Sequence, residues 1–327
     1  MINGYGNIYD EAQSKDEQLR ESFYTFHILL FMNILITGGE GFIGRNLKDQ
    51  LLRENNEVLT LDITGKPIFK CTILNYSDVL EATKNIDVIF HLAATTSPPQ
   101  FESDLFTGFD TNVKGTLNVL NAAVFHGVKR IILASSSAVY GDIKVPGNED
   151  MKIFGHNNMY ATTKLFDEYL GRYFSLRDEI EVVSLRYFNV YGNGENTKGM
   201  YSSVISKFFD SILSNKMPVI FGDGKQSRDL VFIKDTVDAS IRAMKNGISG
   251  NIYNVGTGVA TQFNHIVEVM SKLLGREILP KYENNPFKNY QMFTQANIEK
   301  ISHQLNWKSK YSIENGISEM ARISGLM

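Results

Sequence analysis

A glycine-rich turn, set between a strand pattern and a helix pattern, constrains the fold of this chain more than any other feature. Residues Asn33–Thr37 (NILIT) are apolar and β-branched, which predicts a buried strand, and Phe42–Asn55 has helical periodicity. The turn between them reads TGGEGFIG, in which Gly38, Gly41 and Gly44 have G-x-x-G-x-x-G spacing. A strand, such a turn and a helix in this order predict the first βαβ unit of a dinucleotide-binding fold.

The same turn has the chemistry of a pyrophosphate site. Glycine allows a phosphate to approach the helix N-terminus closely, where free N–H groups and the helix dipole favour negative charge. Phe42 and Ile43 open the helix and are expected to contact the cofactor together with the three glycines. Asp62 ends the next strand pattern, 18 residues after Gly44. A carboxylate there can accept hydrogen bonds from both ribose hydroxyls and repels a 2′-phosphate, which predicts NAD rather than NADP.

Strand and helix patterns alternate along the first half of the chain. Further strand patterns lie at Glu57–Asp62, Ile68–Ile73, Asp87–Ala94, Val128–Ser137 and Glu181–Phe188, and helix patterns at Ser77–Lys84, Leu105–His126 and Met159–Leu176. Because these strands are mostly apolar on both faces, they predict an α/β fold with a Rossmann-type, doubly wound parallel sheet covered by helices.

The pattern changes after Phe188 to helices mixed with short strands and turns. The helix patterns lie at about Ser202–Leu213, Lys234–Lys245, Phe263–Leu274 and Ile313–Ile323. We therefore predict an N-terminal extension over 1–31 and an NAD-binding domain over 32–188, with interleaved returns near 219–258. Residues 189–327 are expected to form mainly a smaller, interleaved C-terminal lobe that binds the substrate.

Composition and charge exclude several classes of protein. The single cysteine, Cys71, rules out a disulfide within the chain and a zinc site built from several cysteines, and it is typical of the reducing cytoplasm. A net charge of −3 without clusters of Lys and Arg argues against a nucleic-acid partner. No apolar run reaches the roughly 20 residues of a membrane-spanning helix. Neither a membrane partner nor a metal site is expected.

Tyr160 and Lys164 are the strongest candidates for catalysis. They stand four residues apart in a predicted helix, so their side chains share one face. A free phenol has a pKa of about 10, and a neighbouring ammonium favours its ionised form. Ser136 ends a strand pattern, at the edge of the sheet where ligands bind in open α/β folds. We expect Tyr160 to be the base, Lys164 to stabilise its phenolate, and Ser136 to hold a reacting oxygen; Tyr160 and Lys164 are also expected to contact the cofactor.

Eight motifs, spread over most of the chain, resemble one known family. They are TGGEGFIG, HLAA, NVKGTLNVL, SSSAVYG, YATTK, LRYFNVYG, GDGKQSRDLVFIKD and YNVGTG. From about Asn33 to Gly325 the chain resembles the extended short-chain dehydrogenases, specifically the NAD-dependent epimerase/dehydratase family. The resemblance implies NAD as cofactor and a sugar nucleotide as substrate. It implies further cofactor contacts at Ile73, Leu92, Ala93, Ala94, Asn112 and Tyr187, and substrate contacts at Ser137, Asn189, Lys198, Arg228 and Tyr290. Asn189 and Arg228 match family positions that face the diphosphate of the substrate.

The residues that follow Ser136 bear on the reaction. Dehydratases and Glu-dependent decarboxylases of this family have a carboxylate just after the serine position, where this chain has Ser137 and Ala138. A fucose-synthase-like enzyme uses a cysteine, whereas Cys71 lies on an early strand. We therefore expect epimerisation, in which the hydroxyl proton leaves to Tyr160, hydride passes to NAD⁺, and the keto intermediate turns before hydride returns. A 4-epimerase of an NDP-hexose, similar to UDP-glucose 4-epimerase, is favoured.

Two other reactions remain open. The segments NVYGNGENTKGMYSS (Asn189–Ser203) and NYQMFTQA (Asn289–Ala296) resemble ADP-heptose 6-epimerases. In those enzymes a lysine that matches Lys198 can serve as a second acid/base. The second alternative is a reductase that uses NAD(P)H on a 4-keto sugar nucleotide. A non-catalytic NAD sensor is disfavoured because Tyr160 and Lys164 are both present.

The resemblance also implies a quaternary structure. Members of the family usually dimerise through two long helices, which correspond here to Leu105–His126 and Met159–Leu176. We expect a homodimer with a four-helix seam.

Overall fold

A seven-stranded parallel β-sheet forms the centre of the molecule. The computed structural model describes residues 31–96, 101, 104–153, 158–177, 180–195, 202–286 and 290–326. The strands within them are β1 (Asn33–Thr37), β2 (Glu57–Asp62), β3 (Phe69–Lys70), β4 (Val88–His91), β5 (Arg130–Ser136), β6 (Glu181–Tyr187), β7 (Asn189–Tyr191), β8 (Val219–Phe221), β9 (Ser227–Phe232), β10 (Ile252–Val255), β11 (Ala260–Gln262) and β12 (Lys281–Glu283). The large sheet has the order β10-β6-β5-β4-β1-β2-β3, and every neighbouring pair is parallel. The strand order reverses between β1 and β4, and ligands bind at such a switch point in open α/β sheets.

Helices cover this sheet and build the rest of the molecule. They are α1 (Phe42–Arg53), α2 (Tyr76–Ala82), α3 (Leu105–Phe109), α4 (Gly115–His126), α5 (Met159–Leu176), α6 (Val204–Leu213), α7 (Ile233–Asn246), α8 (Phe263–Leu274), α9 (Glu299–Leu305) and α10 (Ile313–Ile323). A π-helical turn, Asp110–Lys114, joins α3 to α4, and a 3₁₀ turn, Ser137–Tyr140, follows β5. In the described part of the chain, no helix is both long enough and apolar enough to cross a lipid bilayer.

Alternate residues of β1 point to opposite faces of the sheet, and each face has its own hydrophobic core. Ile34 and Ile36 are fully buried in a core that includes Leu47 of α1. Leu35 is fully buried in the other core, which includes Leu120 of α4. The α/β fold with a doubly wound parallel sheet, predicted from the strand patterns, is therefore confirmed.

A smaller group of strands and helices follows β6 in the sequence. Strands β11, β9 and β7 form a three-stranded sheet, and β12 pairs with β8. Trp307, Phe208 of α6 and Phe232 of β9 are buried in the same core as Ile34 and Ile36 of the large sheet. The chain then returns to the large sheet, where β10 pairs with β6. Strand β10 lies in the region predicted to contain interleaved returns, while the division into domains at residue 188 stays a prediction.

Several elements differ from their sequence patterns. The strand expected over Ile68–Ile73 is limited to β3, which forms only two register pairs with β2. The helix expected over Leu105–His126 is divided by the π-helical turn. Helix α9 was not predicted. In contrast, the bounds predicted for α5, α8 and α10 agree with the structure.

Candidate active site

The glycine turn brings the start of α1 close to the segment that follows β4. Gly38 has a φ of +70°, in the left-handed region that favours glycine, and a Cβ atom on it would lie 2.7 Å from the backbone nitrogen of Ala93. A Cβ atom on Gly44 would lie 2.8 Å from Cα of Gly39. Both positions therefore need glycine, and the turn presents a bare backbone that a phosphate can approach.

The N-terminus of α1 has no side-chain cap at its first position. Its N-cap residue is Gly41, whose own N–H donates to the carbonyl oxygen of Gly38 at 3.1 Å. Phe42 is buried and Ile43 is half-buried in the first turn. The N–H groups at such a helix end and the dipole of the helix attract an anion. These features fit the pyrophosphate of a dinucleotide.

Asp62 lies at the end of β2 and is fixed beside the glycine turn. Its Oδ2 accepts the N–H of Glu40 at 2.9 Å, and its Oδ1 accepts both the N–H and the hydroxyl of Thr64 at 2.9 Å and 3.0 Å. A carboxylate has about four acceptor sites, so acceptor capacity remains for a ribose hydroxyl. The position of this carboxylate agrees with an adenosine ribose site.

Three of the remaining cofactor candidates, Leu92, Ala93 and Ala94, form the segment after β4. The N–H of Leu92 donates to the carbonyl oxygen of Thr37 at 3.0 Å, and the N–H of Ala93 donates to the Thr37 hydroxyl at 3.3 Å. These bonds hold the segment directly beside the end of β1. The segment therefore lies along the glycine turn, as a dinucleotide site requires.

Ile73 and Tyr187 are buried away from solvent. Ile73 is 3% exposed and packs against the backbone of Gly115 at the start of α4. The hydroxyl of Tyr187 lies 2.9 Å from the hydroxyl of Ser240 on α7, and burial raises the pKa of Tyr187 to about 12. The phenol of Tyr187 is thus part of the core. If this residue contacts a cofactor, it does so through its main chain.

Asn112 lies in the π-helical turn and joins two segments of the site. Its Oδ1 accepts the N–H of Thr95 at 2.7 Å, and its Nδ2 donates to the carbonyl oxygen of Thr95 at 3.1 Å and to the hydroxyl of Thr163 at 2.9 Å. The loop after β4 is thereby tied to α5. π-helical turns are often found at functional sites.

Ser136 ends β5 at the carboxyl edge of the sheet. Its hydroxyl accepts the N–H of Ala138 at 3.2 Å and so caps the 3₁₀ turn that begins at Ser137. The hydroxyl proton of Ser136 is not used in that bond. Ser136 can therefore still donate a hydrogen bond to a ligand.

Helix α5 carries Tyr160 in its first turn and Lys164 one turn later. Asn158 caps the helix through its Oδ1, which accepts the N–H of Ala161. Tyr160 is partly exposed, and its ring lies 6.2 Å from the ring of Phe101. Lys164 is 4% exposed, and its Nζ donates to the carbonyl oxygen of Ala134 in β5 at 2.9 Å. The ammonium group is thus fixed near the end of the strand that carries Ser136.

A carboxylate that sequence reasoning missed lies beside this ammonium group. Oδ2 of Asp167 accepts a hydrogen bond from Nζ of Lys164 at 3.1 Å, and Asp167 is fully buried. Burial raises the pKa of Asp167 to about 6, against the opposing effect of Lys164. Only the three-residue spacing on the helix could have suggested this pair, and an adjacent Asp-Glu sequence is more typical of a solvated helix face.

Arg228 is held between two aromatic rings in the second lobe. Its guanidinium carbon lies 5.5 Å from the centre of the Phe263 ring and 5.3 Å from that of Tyr290. Burial lowers the pKa of Arg228 below its ordinary value. Within the described residues no carboxylate lies at ion-pair distance from it, and Nη1 donates to the carbonyl oxygen of Ser227. The guanidinium of Arg228 is therefore placed to bind an anionic ligand.

Asn189 lies near this arginine and is oriented by Thr294, which sequence reasoning did not single out. Nδ2 of Asn189 donates to the Thr294 hydroxyl at 3.0 Å and to the carbonyl oxygen of Asp229 at 3.2 Å. The carboxylate of Asp229 is fully buried and accepts bonds from Thr257, Gly258 and Ala296. It holds the strand of Arg228 in place instead of pairing with the guanidinium.

Lys198 lies outside the described residues, so its place in the site stays a prediction. Among the described residues, no group of three or more His, Cys, Asp or Glu side chains could hold a metal ion. Cys71 follows edge strand β3, four strand spacings from β5, or about 19 Å. This separation agrees with the argument against a cysteine acid/base.

Comparison with known proteins assigns the chain to a family. The model of the NAD dependent epimerase/dehydratase family matches residues 34–256. The chain belongs to this family. It is 32% identical over 302 residues to a putative UDP-glucose 4-epimerase of Methanocaldococcus jannaschii. The aligned residues cover 88% of this chain and 96% of that protein. It is 34% identical to a UDP-N-acetyl-alpha-D-glucosaminuronate decarboxylase of Bacillus cytotoxicus, over 68% of this chain and 74% of that protein.

A solved structure shows the same fold. The UDP-glucose 4-epimerase of Thermotoga maritima, determined with UDP-glucose, superposes with a TM-score of 0.84 at 27% identity and covers 90% of this chain and 99% of that one. The predicted class, an NAD-dependent sugar-nucleotide epimerase, is confirmed by the family and its named relatives. NAD is the cofactor of the family, and the glycine turn, the N-terminus of α1 and Asp62 fit it.

Proposed function

We propose that this enzyme interconverts the C4 epimers of a UDP-hexose. The proposal rests on one arrangement: Tyr160 and Lys164 share a face of α5, and Lys164 is bonded to β5 two residues before Ser136. This arrangement supports a site at the carboxyl edge of the sheet that combines a base, a cation and a hydroxyl group. These are the groups needed to take a proton from a secondary alcohol and to give it back.

Each residue of the proposed site has its own role in the reaction. The hydroxyl proton of the sugar moves to Oη of Tyr160, and Ser136 holds the same sugar oxygen by a hydrogen bond. Lys164 stabilises the phenolate by its charge. The glycine turn and Asp62 hold NAD, which supplies a hydride acceptor and donor when bound. After the keto sugar has turned in the site, the opposite face of C4 receives the hydride back from bound NAD, and Tyr160 returns its proton to the sugar oxygen, which completes the epimerisation.

Arg228 and the aromatic rings beside it support a nucleoside diphosphate sugar as the substrate. A half-buried guanidinium without a carboxylate partner among the described residues favours a diphosphate, since its planar fork can donate two parallel bonds. We place the substrate diphosphate against Arg228, with Tyr290 beside the guanidinium and Ser137 near the sugar. Both amide protons of Asn189 go to Thr294 and Asp229, so its Oδ1 would accept a hydrogen bond from a hydroxyl group of the substrate.

A decarboxylase is the competing function, because one of the relatives is named as such. The positions after the catalytic serine argue against it. They are Ser137 and Ala138 in the 3₁₀ turn, and neither carries the carboxylate expected of the Glu-dependent enzymes. Epimerisation needs no such group.

A panel of substrates tests this function. We expect the purified enzyme, without added cofactor, to equilibrate UDP-glucose with UDP-galactose or the matching pair of another UDP-hexose. Tyr160→Phe should lower the rate by about a hundredfold or more, since general acid–base catalysis contributes about 10²–10⁴. Tyr169→Phe, on the exposed side of the same helix, is the matched control and should retain full activity. Unchanged turnover in Tyr160→Phe would overturn the proposal.

The same panel separates the alternatives. An ADP-heptose is included because Lys198 matches the second acid/base of the heptose epimerases, and Lys198→Ala should affect only that reaction. Stoichiometric use of NADH on a 4-keto sugar nucleotide would instead indicate a reductase.

We also propose a homodimer that acts in the cytoplasm. Large apolar side chains are exposed along α3, α4 and α5, and the rings of Phe109 and Phe166 join the first and last of these helices at 6.4 Å. They are Leu105, Phe106, Phe109, Leu117, Phe125, Met159, Phe166, Tyr169, Tyr173 and Leu176. Exposed apolar side chains of this number on neighbouring helices favour a second copy as their partner. The single cysteine and the nucleotide-linked substrate support the cytoplasm.

A further inference from the structure

The buried ion pair of Lys164 and Asp167 includes a carboxylate oxygen without a hydrogen-bond donor in the part of the chain that the structure describes. Lys164 and Asp167 have side-chain exposures of 5% and 0%. Oδ1 of Asp167 is buried and has no hydrogen-bond partner among the described residues. The Thr116 hydroxyl faces this carboxyl group, but it donates its proton to the carbonyl oxygen of Asn112. A charged oxygen without a donor is costly in a protein interior, and its retention calls for an explanation.

The surroundings of the pair leave Asp167 as the counter-charge of Lys164. Glu168, on the same helix, is engaged by a bidentate bond from Arg186 at 2.8 Å and by the Ser135 hydroxyl. His91 of β4 is bonded to Thr116 of α4 at 3.0 Å and is uncharged at neutral pH, because burial lowers its pKa to about 3. Asp167 is therefore the carboxylate that contacts the ammonium.

Two hydrogen bonds fix the position of the Lys164 ammonium group. An ammonium has three N–H donors, and two of them go to Ala134 and Asp167. The third remains for a ligand or for Tyr160. A carboxylate beside an ammonium group in a protein interior stabilises it, because desolvation disfavours the charged form.

We propose that Asp167 is a positioning residue that keeps Lys164 protonated and holds its ammonium group at the end of β5. The role rests on the proposed functions of Tyr160 and Lys164. It acts through Lys164, since nothing brings Asp167 itself to the substrate.

Direct titration of Lys164 tests this role without relying on activity. The enzyme is labelled with ¹³C at the ε-carbon of lysine, and the Lys164 resonance is assigned by its absence in Lys164→Arg. In Asp167→Asn, the midpoint of this titration should fall by about one unit or more. Asp167→Glu, which keeps the charge, should stay near the wild-type midpoint. Asp235→Asn is the matched control, because Asp235 is also buried but accepts only the N–H groups of Lys310 and Tyr311.

The pH profile of epimerisation should follow the titration. The basic limb of activity in Asp167→Asn should move to lower pH by the same amount. An unmoved Lys164 midpoint would overturn the inference, even if activity and thermal stability both fell. Asp167→Ser, which leaves room for a water molecule, provides the same test if Asp167→Asn does not fold. If the midpoint moves but Tyr160→Phe remains active, the proposed function fails and the role of the pair stands.

Discussion

The hydroxyl of Thr37 lies 2.7 Å from Nδ1 of His91, so the strand that leads into the glycine turn is bonded to β4 through side chains as well as through its backbone. His91 is 2% exposed, and its Nε2 lies 3.0 Å from the Thr116 hydroxyl. Burial, with a smaller effect from Lys164, lowers the pKa of His91 to about 3. A neutral imidazole therefore connects β1, β4 and α4 beneath the active site.

We expect acid to destabilise the fold through His91. In the unfolded chain this side chain takes up a proton near pH 6.5, whereas in the folded protein it does so only near pH 3. Unfolding therefore takes up a proton at His91 between these values, so this residue makes the free energy of unfolding fall by about 1.4 kcal/mol per unit as the pH is lowered through the window. Asp167, whose pKa is raised to about 6, acts in the opposite direction below that pH, so the contribution of His91 is read from the difference between the wild type and a His91 variant. Urea unfolding between pH 4.5 and 7 measures the slope. His91→Gln should reduce it, while His265→Gln, at an exposed position, should leave it unchanged; equal slopes in the wild type and His91→Gln would contradict the prediction.

Gly44→Ala should disrupt the glycine turn. The added methyl group would lie 2.8 Å from Cα of Gly39, a distance that requires the turn and α1 to separate. We expect a loss of about 1–3 kcal/mol of stability and at least a tenfold loss of NAD affinity, measured by calorimetry. The control is Arg53→Ala in the last turn of the same helix. Normal NAD binding by Gly44→Ala would show that the turn does not carry the pyrophosphate.

Arg228→Lys should weaken substrate binding more than catalysis. A lysine keeps the charge but loses the planar fork and the stacking between Phe263 and Tyr290. We expect KM to rise about tenfold or more while kcat stays within a few fold, the signature of an interaction made equally in the ground and transition states. Lys225→Ala, at an exposed site nearby, should change neither constant. A fall in kcat alone would place Arg228 in the chemical step.

Tyr169→Arg should convert the proposed dimer into monomers. Tyr169 is 62% exposed on α5, in the apolar face shared with α3 and α4, and a charge buried there would lack a partner. Light scattering during gel filtration measures the mass. Tyr282→Arg carries the same change on β12, outside this face, and should not alter the mass of the particle. A wild-type monomer, or a Tyr169→Arg dimer, would contradict the proposed seam.

The sequence predicted the elements whose limits are set locally. Helix α5 runs from Met159 to Leu176, as its pattern indicated, because Asn158 caps it and its buried face has helical spacing. Strand β3 is shorter than its apolar pattern, since an edge strand is limited by how far its single neighbour β2 remains paired. The sequence also did not predict the π-helical turn at Asp110–Lys114. Its extra residue changes the register of the helix without changing the composition.

The residues of the site also differ in whether local sequence or distant neighbours determine their role. The residues of the glycine turn, Asp62, Ser136, Tyr160 and Lys164 occur in recognisable motifs, and the structure brings Lys164 to the strand of Ser136. Asp167 and Asp229 could not be found in this way, because an aspartate in a sequence gives no sign of burial. Their positions depend on neighbours distant in sequence, such as Thr257 and Ala296 for Asp229.

Strand β10 has a consequence for how the protein is made. It pairs with β6 in the large sheet, although β7, β8 and β9 come between them in the chain. During synthesis, the outer side of β6 therefore stays uncovered until residues 252–255 have left the ribosome. A nascent chain cut before that point would expose an unpaired edge, which is a known route to aggregation.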